Sequence, residues 1–175
     1  MQRAVSAVVG LILAVAAVAQ NKSAAPVTPV LPSDEISGMY SFLEDGEFVQ
    51  IDVQDGPPDR PLEKKVGGFI SRYGDLESDK GAFLDHFIRE GKLAGRDLSF
   101  TTQAVHGVWF DFKGRVERGA GKTRAEEAYF VLRGTLTKHS TDAHKKESAF
   151  MREVGLKSFP QDAEDAQAAT PDRKK

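Results

Sequence analysis

The residues between positions 98 and 116 alternate between apolar and polar side chains, and this alternation restricts the fold more than any other feature. From position 106 onward the even-numbered positions are mostly apolar, whereas Asp111, Lys113 and Arg115 occupy odd-numbered positions. Successive side chains of a β-strand point to opposite faces of a sheet, so a period of two predicts strand and not helix. We therefore predict two long strands, joined near residues 103–104, at the centre of an antiparallel sheet.

Short segments with the same period recur along the rest of the chain, separated by turns rich in glycine, proline and charged residues. The predicted strands are residues 36–42, 47–53, 66–73, 83–89, 98–102, 106–116, 129–139 and 149–159. Segment 83–90 stays open between a strand and a short helix, because Phe83, Leu84, Phe87 and Ile88 also fit helical spacing.

This series of strands predicts an all-β fold, since parallel strands would need long crossover connections that the sequence does not offer. Sequential hairpins favour an antiparallel up-and-down barrel of about eight strands, because closing a meander removes both exposed edges of the sheet. A β-sandwich is the alternative.

The first 19 residues have the composition of a cleavable secretory signal peptide. Arg3 precedes an apolar run over residues 4–18, and Ala17-Val18-Ala19 forms an A-x-A cleavage site. A membrane-spanning helix usually needs about 20 apolar residues. We therefore predict cleavage before Gln20 rather than an uncleaved anchor. The mature protein is then secreted or periplasmic, with no stable membrane insertion.

Composition divides the rest of the chain into three parts. Residues 20–35 are rich in proline and alanine, which predicts a disordered tether. Residues 36–159 contain all the predicted strands and form the β-barrel domain. Residues 160–175 are polar with no hydrophobic period, which predicts a disordered tail.

The mature chain has a small net charge and no cysteine. The full sequence has 24 basic and 26 acidic residues, so loss of Arg3 leaves 24 − 1 = 23 basic residues and a net charge of 23 − 26 = −3. This balance gives no strong attraction to nucleic acid, and no nucleic-acid partner is predicted. The absence of cysteine excludes disulfides, so the stability of the fold must come from a packed core.

An acidic loop has part of the pattern of a calcium site. Asp75, Glu77 and Asp79 stand at alternate positions, the spacing that lets successive carboxylates converge on one ion. The loop departs from the EF-hand pattern, because His86 stands where that pattern has a bidentate glutamate. A solvated loop is the preferred interpretation.

Two other segments also lack essential parts of a site. Residues 119–123 resemble a phosphate-binding loop, but Val116 occupies the place of its first glycine. His139, Asp142 and His144 lie in a polar turn without a fourth ligand. No metal site and no cofactor are therefore predicted.

Two residues of the central segment stand out from the apolar pattern. His106 shares a face with Val108 and Phe110, so it is predicted to point inward, where an imidazole needs a hydrogen-bond partner. The candidate partners are Arg72, Tyr73, Asp85 and Asp111. Trp109 falls on the opposite face, where it is covered, forms an exposed apolar patch, or is turned inward by a bulge near Gly107.

Repeated hairpin phrases occur at residues 92–102, 110–116 and 132–136. In these phrases and in its meander order, the chain resembles exported bacterial lipocalin-like (calycin-type) β-barrel proteins over residues 36–159. The resemblance implies a barrel that encloses a ligand. Gly38-Met39-Tyr40 stands where lipocalins have Gly-x-Trp, so no family ligand residue is carried over.

The leading functional hypothesis is a noncatalytic barrel that binds a small hydrophobic or amphipathic ligand in its interior. The residues predicted to contact this ligand are Tyr40, Arg72, His106, Phe110 and Phe112. One alternative is a cell-envelope interaction module that uses an exposed aromatic face around Trp109. Another is an enzyme that uses an interior His106, although the chain has no Gly-x-Ser-x-Gly or His-Glu-x-x-His motif. Whether the interior is filled or hollow stays open.

Overall fold

The structure is a computed structural model, and it describes residues 33–60, 63–75 and 77–161. The described elements are a single helical turn, α1 (Ser33–Ile36), eight strands and a 3-10 turn at Glu77–Asp79. The strands are β1 (Gly38–Ser41), β2 (Phe48–Gln54), β3 (Glu63–Tyr73), β4 (Phe83–Ala94), β5 (Asp97–Thr102), β6 (Val108–Arg118), β7 (Phe130–Thr141) and β8 (Glu147–Lys157).

All eight strands belong to one sheet in the order of the sequence, and every neighbouring pair is antiparallel. The sheet is strongly curled into a half-barrel, which confirms the predicted all-β, up-and-down arrangement. The alternative β-sandwich is wrong, because a sandwich needs two sheets. The first and last strands meet at one end, where Tyr40 and Ser158 form an isolated bridge and Phe159 N donates to Met39 O at 2.9 Å.

The core fills the concave inner face of the sheet. Phe110 and Phe112 of β6 are fully buried; the ring of Phe110 meets Phe42 edge-on at 5.5 Å, and that of Phe112 stacks on Phe100 at 5.3 Å. Burying one such side chain contributes roughly 1.5–3 kcal/mol. The buried Ile36 of α1 covers the end of the core where β1 and β8 meet. We call the other end of the half-barrel, which holds the turns at residues 42–47, 74–82, 103–107 and 142–146, the open end.

Segment 83–90, which the sequence left ambiguous, is strand. It begins β4, which pairs with β3 on one side and with β5 on the other. Leu84 and His86 point inward, whereas the rings of Phe83 and Phe87 are exposed on the convex outer face. Two partner strands thus decide the conformation where side-chain spacing alone was compatible with a helix.

Two glycines have backbone conformations that other residues avoid. Gly46 ends the β1–β2 turn with φ of 89°, as expected for a predicted turn glycine. Gly68 has φ of 114° beside a register shift in β3, and a Cβ there would lie 2.0 Å from Gln50 O. The irregularity belongs to the pairing of β3 with β4, and the missing Cβ of Gly68 lets the main chain of β2 approach β3 closely on the other side.

The predicted signal peptide (1–19) and most of the predicted tether and tail lie outside the described residues. The last residues of the predicted tether, from Ser33, belong to α1. In the part of the chain that the structure describes, no helix is long and apolar enough to cross a membrane.

Candidate functional site

A cleft of about 180 Å³ opens at the open end of the half-barrel. It exists because β1 has four residues and β8 has eleven, so the far half of β8 continues past the end of β1. One wall comes from the β1–β2 turn and the end of β3, and the other from the β7–β8 hairpin. The lining residues are Leu43, Glu44, Glu47, Arg72, Asp75, Leu136, Lys138, Phe150 and Arg152.

The polar wall of the cleft is organised around the buried guanidinium of Arg72. Arg72 donates to both carboxylate oxygens of Asp75, at 3.0 and 2.5 Å, and its Nε lies 3.8 Å from Glu47 Oε1. Lys138 Nζ donates to the same carboxylate at 2.6 Å. Burial alone would raise the pKa of Asp75, but the hydrogen bonds from Arg72 and Lys138 outweigh it and lower the pKa. Asp75 therefore stays charged and holds two cations at the cleft.

Glu47 contributes a buried carboxyl group with an unused oxygen. Its side chain is 3% exposed, and Oε1 accepts a hydrogen bond from Tyr73 N at 3.0 Å. Oε2 has no hydrogen-bond partner among the described residues. Burial raises the pKa of Glu47, although the Tyr73 N–H and the Arg72 charge act against it. A buried polar atom without a partner is costly, so Oε2 is a destabilising element of the cleft wall.

The opposite wall combines apolar surface with a cation. Phe150 is 65% exposed although it points to the inner face, opposite Lys138 of β7. Arg152 stands opposite Leu136, and no described carboxylate lies within 4.0 Å of its guanidinium. An exposed aromatic ring beside a cation without an ion pair suits a molecule that is apolar at one end and anionic at the other.

The five residues predicted to contact a ligand do not lie together. Arg72 alone lines the cleft. Tyr40, Phe110 and Phe112 are buried in the packed core, where Tyr40 Oη donates to the main-chain oxygen of Ile36 at 2.6 Å. The expectation of an interior His106 is wrong, because its side chain is 51% exposed.

His106 lies in the β5–β6 turn and not in β6. It has φ of 50°, followed by Gly107 with φ of 76°, and its side chain is 51% exposed. Its Nδ1 lies 2.8 Å from Asp79 Oδ2, a partner that the sequence did not suggest. The turn removes His106 from the face of Val108, because left-handed backbone angles break the period of two.

The interior histidine is His86 of β4. Its ring is fully buried and meets Phe110 edge-on at 5.2 Å. Neither ring nitrogen has a partner with hydrogen-bond geometry among the described residues, although main-chain groups of Gln103 and Val108 lie close enough to favour its charged form. Burial and, secondly, the nearby Arg72 charge outweigh these groups and lower the pKa of His86 below its ordinary 6.5. The buried environment therefore favours the neutral form of the ring.

This buried ring leads to a prediction about pH. Below pH 6.5 the unfolded chain binds a proton at His86 while the folded chain does not, so the free energy of unfolding falls until the folded-state pKa is reached. His86→Leu should remove this part of the acid sensitivity. Urea unfolding at pH 7.5 and pH 5.0 measures it. The exposed His144 is the matched control, because His144→Leu removes an imidazole that is not buried. Equal slopes for the wild type and His86→Leu would contradict the assignment.

The acidic loop does not gather its three carboxylates. Asp75 bonds Arg72, Asp79 bonds His106, and Glu77 lies 3.7 Å from Lys80 on the surface. No group of three or more metal-ligating side chains occurs in the described parts of the chain. The loop instead fixes the β3–β4 connection at the rim of the cleft.

The other motif residues also make structural contacts. Lys122 N donates to Glu126 Oε2 in the β6–β7 connection, and Asp142 Oδ1 accepts from the main-chain nitrogens of His144 and Lys146 within the β7–β8 turn. These contacts stabilise connections between strands.

Trp109 lies on the outer face, as predicted, but it is half-buried. Its indole stacks on the His139 ring with centroids 4.9 Å apart and planes 4° apart, and His139 Nε2 lies 2.8 Å from Asp111 Oδ2. The exposed aromatic residues of this face belong to β4, where Phe83 is 48% and Phe87 is 53% exposed. Their spacing also fits the apolar side of a short helix, so the sequence alone does not place these two rings on the outer face.

A wider groove of about 400 Å³ crosses β4, β5 and β6. Its lining includes Glu90, Lys92, Asp111 and Lys113, two charges of each sign. Lys92 and Asp111 already pair elsewhere, with Glu63 at 3.5 Å and with His139. The lining of the groove also includes Phe100 and Phe112.

Comparison of the chain with protein-family models and with curated proteins finds no match. The fold and the cleft define the class of structure, which is an eight-stranded, antiparallel, up-and-down half-barrel with an amphipathic cleft at one end.

Proposed function

We propose that the protein is an exported, noncatalytic, barrel-like protein that binds a small amphipathic molecule in the cleft at its open end. One observation carries the proposal: the exposed Phe150 ring shares the cleft with the Arg152 cation, which has no described carboxylate within 4.0 Å. Export rests on the signal-like first 19 residues.

The lining indicates the chemistry of the ligand. An anionic group, such as a carboxylate or a sulfonate, can accept hydrogen bonds from Arg152, and its apolar part can pack on Phe150, Leu43 and Leu136. The cleft volume of about 180 Å³ is below the roughly 300–1,000 Å³ of sites for drug-sized ligands. The ligand is therefore small, with one or two rings or a short chain.

Titration with naphthalene-1-sulfonate, an anionic probe with two fused aromatic rings, tests the proposal by isothermal titration calorimetry. We expect Arg152→Ala to raise the Kd of the probe at least about tenfold, because a hydrogen bond to a charged group contributes roughly 1.5–3 kcal/mol. The matched control is Arg115→Ala, which removes an arginine of the outer face that pairs with Asp97 at 3.0 Å. This control should bind the probe as the wild type does.

The same titration distinguishes the cleft from the outer face of β4. Phe150→Ala should weaken binding, whereas Phe87→Ala, which removes an exposed ring of the outer face, should not. Binding that is lost in Phe87→Ala and kept in Arg152→Ala would overturn the proposal. Native mass spectrometry of protein purified from its own host would then identify a retained molecule by its mass.

A second candidate function is a cell-envelope interaction module that uses the outer aromatic face. The supporting observation is a continuous row of rings in which Phe69 lies 5.8 Å from Phe48 and 5.6 Å from Phe87, with Tyr73 and Phe83 4.4 Å apart beside it. Rows of exposed rings are typical of binding surfaces. In this second candidate, the exposed rings of β4 lie at the centre of the binding surface, and Trp109 does not.

A further inference from the structure

The far half of β8 is an uncovered edge of the sheet. Residues 147–153 are exposed on both faces, and they include Phe150, which is 65% exposed, and Met151, which is 68% exposed. β7 covers one side of the strand along its whole length, but β1 ends at Ser41, whose side chain contacts Lys157. A long edge with apolar side chains is a template for another strand.

The hydrogen bonds near the end of β8 show which main-chain groups face this edge. Ser158 N donates to Phe130 O, next to β7, at 2.9 Å. The nitrogens of its two neighbours point the other way, Lys157 N to Ser41 Oγ at 2.9 Å and Phe159 N to Met39 O at 2.9 Å. The register of β8 with β7 continues without a shift back to Glu147, so the alternation continues with it.

This alternation leaves the main-chain N–H and C=O groups of Ala149, Met151 and Glu153 pointing away from β7 along the free edge. No described strand lies on this side of β8 to hydrogen-bond these main-chain groups. A second antiparallel strand placed here can form its hydrogen bonds with these three residues without disturbing the β7–β8 ladder.

The charges on β8 favour one register for pairing with the β8 strand of a second copy of the chain. When two copies of β8 pair about a two-fold axis perpendicular to the sheet, inner residues face inner residues. With the axis at Met151, Phe150 faces Arg152 of the second copy and Ala149 faces its Glu153, so no like charges are opposed within residues 147–155. With the axis at Phe150, Glu147 would face Glu153, and with the axis at Arg152, two arginines would face each other.

We propose that two copies of this chain pair through the free edge of β8, antiparallel and with Met151 on the two-fold axis, so that one continuous sheet spans the dimer. The pairing also covers the exposed Met151 side chains with each other on the outer face. Phe150 of each copy gains the Arg152 guanidinium of the other copy across the strand pair.

Cysteine cross-linking tests both the pairing and its register, because the chain has 0 cysteines of its own. In the proposed dimer the two copies of residue 151 are a hydrogen-bonded pair with Cα atoms about 5.5 Å apart. A short bifunctional thiol reagent should therefore link Met151→Cys into a covalent dimer on a non-reducing gel. The matched control is Glu147→Cys, on the same face and equally exposed, whose two copies would lie roughly 26 Å apart.

Linking of Met151→Cys but not of Glu147→Cys supports the proposal, and equal linking of the two, or none, overturns it. Sedimentation of the unmodified chain should show a dimer that Met151→Pro converts to monomer, since proline removes the central N–H donor without touching the β7 ladder. Circular dichroism should show the β-sheet spectrum of Met151→Pro unchanged. A wild-type chain that sediments as a monomer at all concentrations also overturns the proposal.

Discussion

Phe110→Ala is expected to lower the free energy of unfolding by about 3–5 kcal/mol, the range for removing a buried phenylalanine from a packed core. The ring is 0% exposed at the centre of the inner face. It meets Phe42 at 5.5 Å and His86 at 5.2 Å, and the Arg72 guanidinium lies 5.7 Å from its centroid. Its removal leaves a cavity bordered by an aromatic ring and two polar side chains, which cannot collapse together without burying a charge.

Phe87→Ala is the matched control, because Phe87 is also a phenylalanine of the sheet but is 53% exposed on the outer face. We expect this variant to lose about 1 kcal/mol or less, since little apolar surface returns to water. Denaturant unfolding followed by the fluorescence of the single tryptophan, Trp109, measures both variants. A loss in Phe110→Ala no larger than that in Phe87→Ala would mean that the inner face is not the core.

Alternation was sufficient to predict the inner face of β6. Phe110, Phe112 and Val116 are each 0% exposed, as their shared parity required. The same rule misplaced His106, since two consecutive residues with positive φ turn the chain just before β6 begins. A period of two describes what happens inside a strand, and it contains no information about where left-handed backbone interrupts that strand.

In β4 the order of apolar and polar residues does not indicate which side chains are buried. Phe83 and Phe87 point outward, while His86 is buried against Phe110. Hydrophobicity alone would place the rings inside and the imidazole outside. The actual arrangement follows from the pairing of β4 with β3, where Phe87 stands opposite Phe69 on the outer face and His86 opposite the core residue Ile70.

The cleft could not be predicted from local sequence. It results from the different lengths of β1 and β8, which are more than 100 positions apart in the chain and meet only because the sheet curls. Arg72 could be selected as a polar residue at the end of a strand, but its contact with Glu47 depends on the register of β2 with β3. Phe150 alternates in step with the apolar Val154 and Leu156, and nothing near it in sequence indicates that it is exposed.

Arg72→Leu is expected to lower the free energy of unfolding by about 3–5 kcal/mol at pH 7, the usual cost of removing one partner of a buried ion pair. The Arg72 side chain is 8% exposed and the Glu47 side chain 3%, so the carboxylate left behind cannot be solvated in place. Asp75 keeps Lys138 at 2.6 Å, and the main penalty therefore falls on Glu47. Equilibrium unfolding in urea measures the change. Arg115→Leu, which removes one partner of an exposed pair with Asp97, is the control and should cost about 1 kcal/mol or less.

The pH dependence distinguishes this mechanism from a simple loss of packing. Without Arg72, the pKa of the buried Glu47 rises further above its ordinary 4.5. When the pKa of an acid is raised in the folded state, the protein loses stability as pH rises from the unfolded-state pKa to the folded-state pKa. Over this range the folded chain still binds a proton that the unfolded chain has already released. The loss in the free energy of unfolding of Arg72→Leu relative to the wild type should therefore increase between about pH 4.5 and pH 7.

Adding Glu47→Gln to Arg72→Leu should remove this increase, since the amide oxygen can still accept from Tyr73 N without carrying a charge. A deficit that is the same at both pH values, and unchanged by Glu47→Gln, would mean that Arg72 stabilises the protein through its contact with the Phe110 ring and not through its charge.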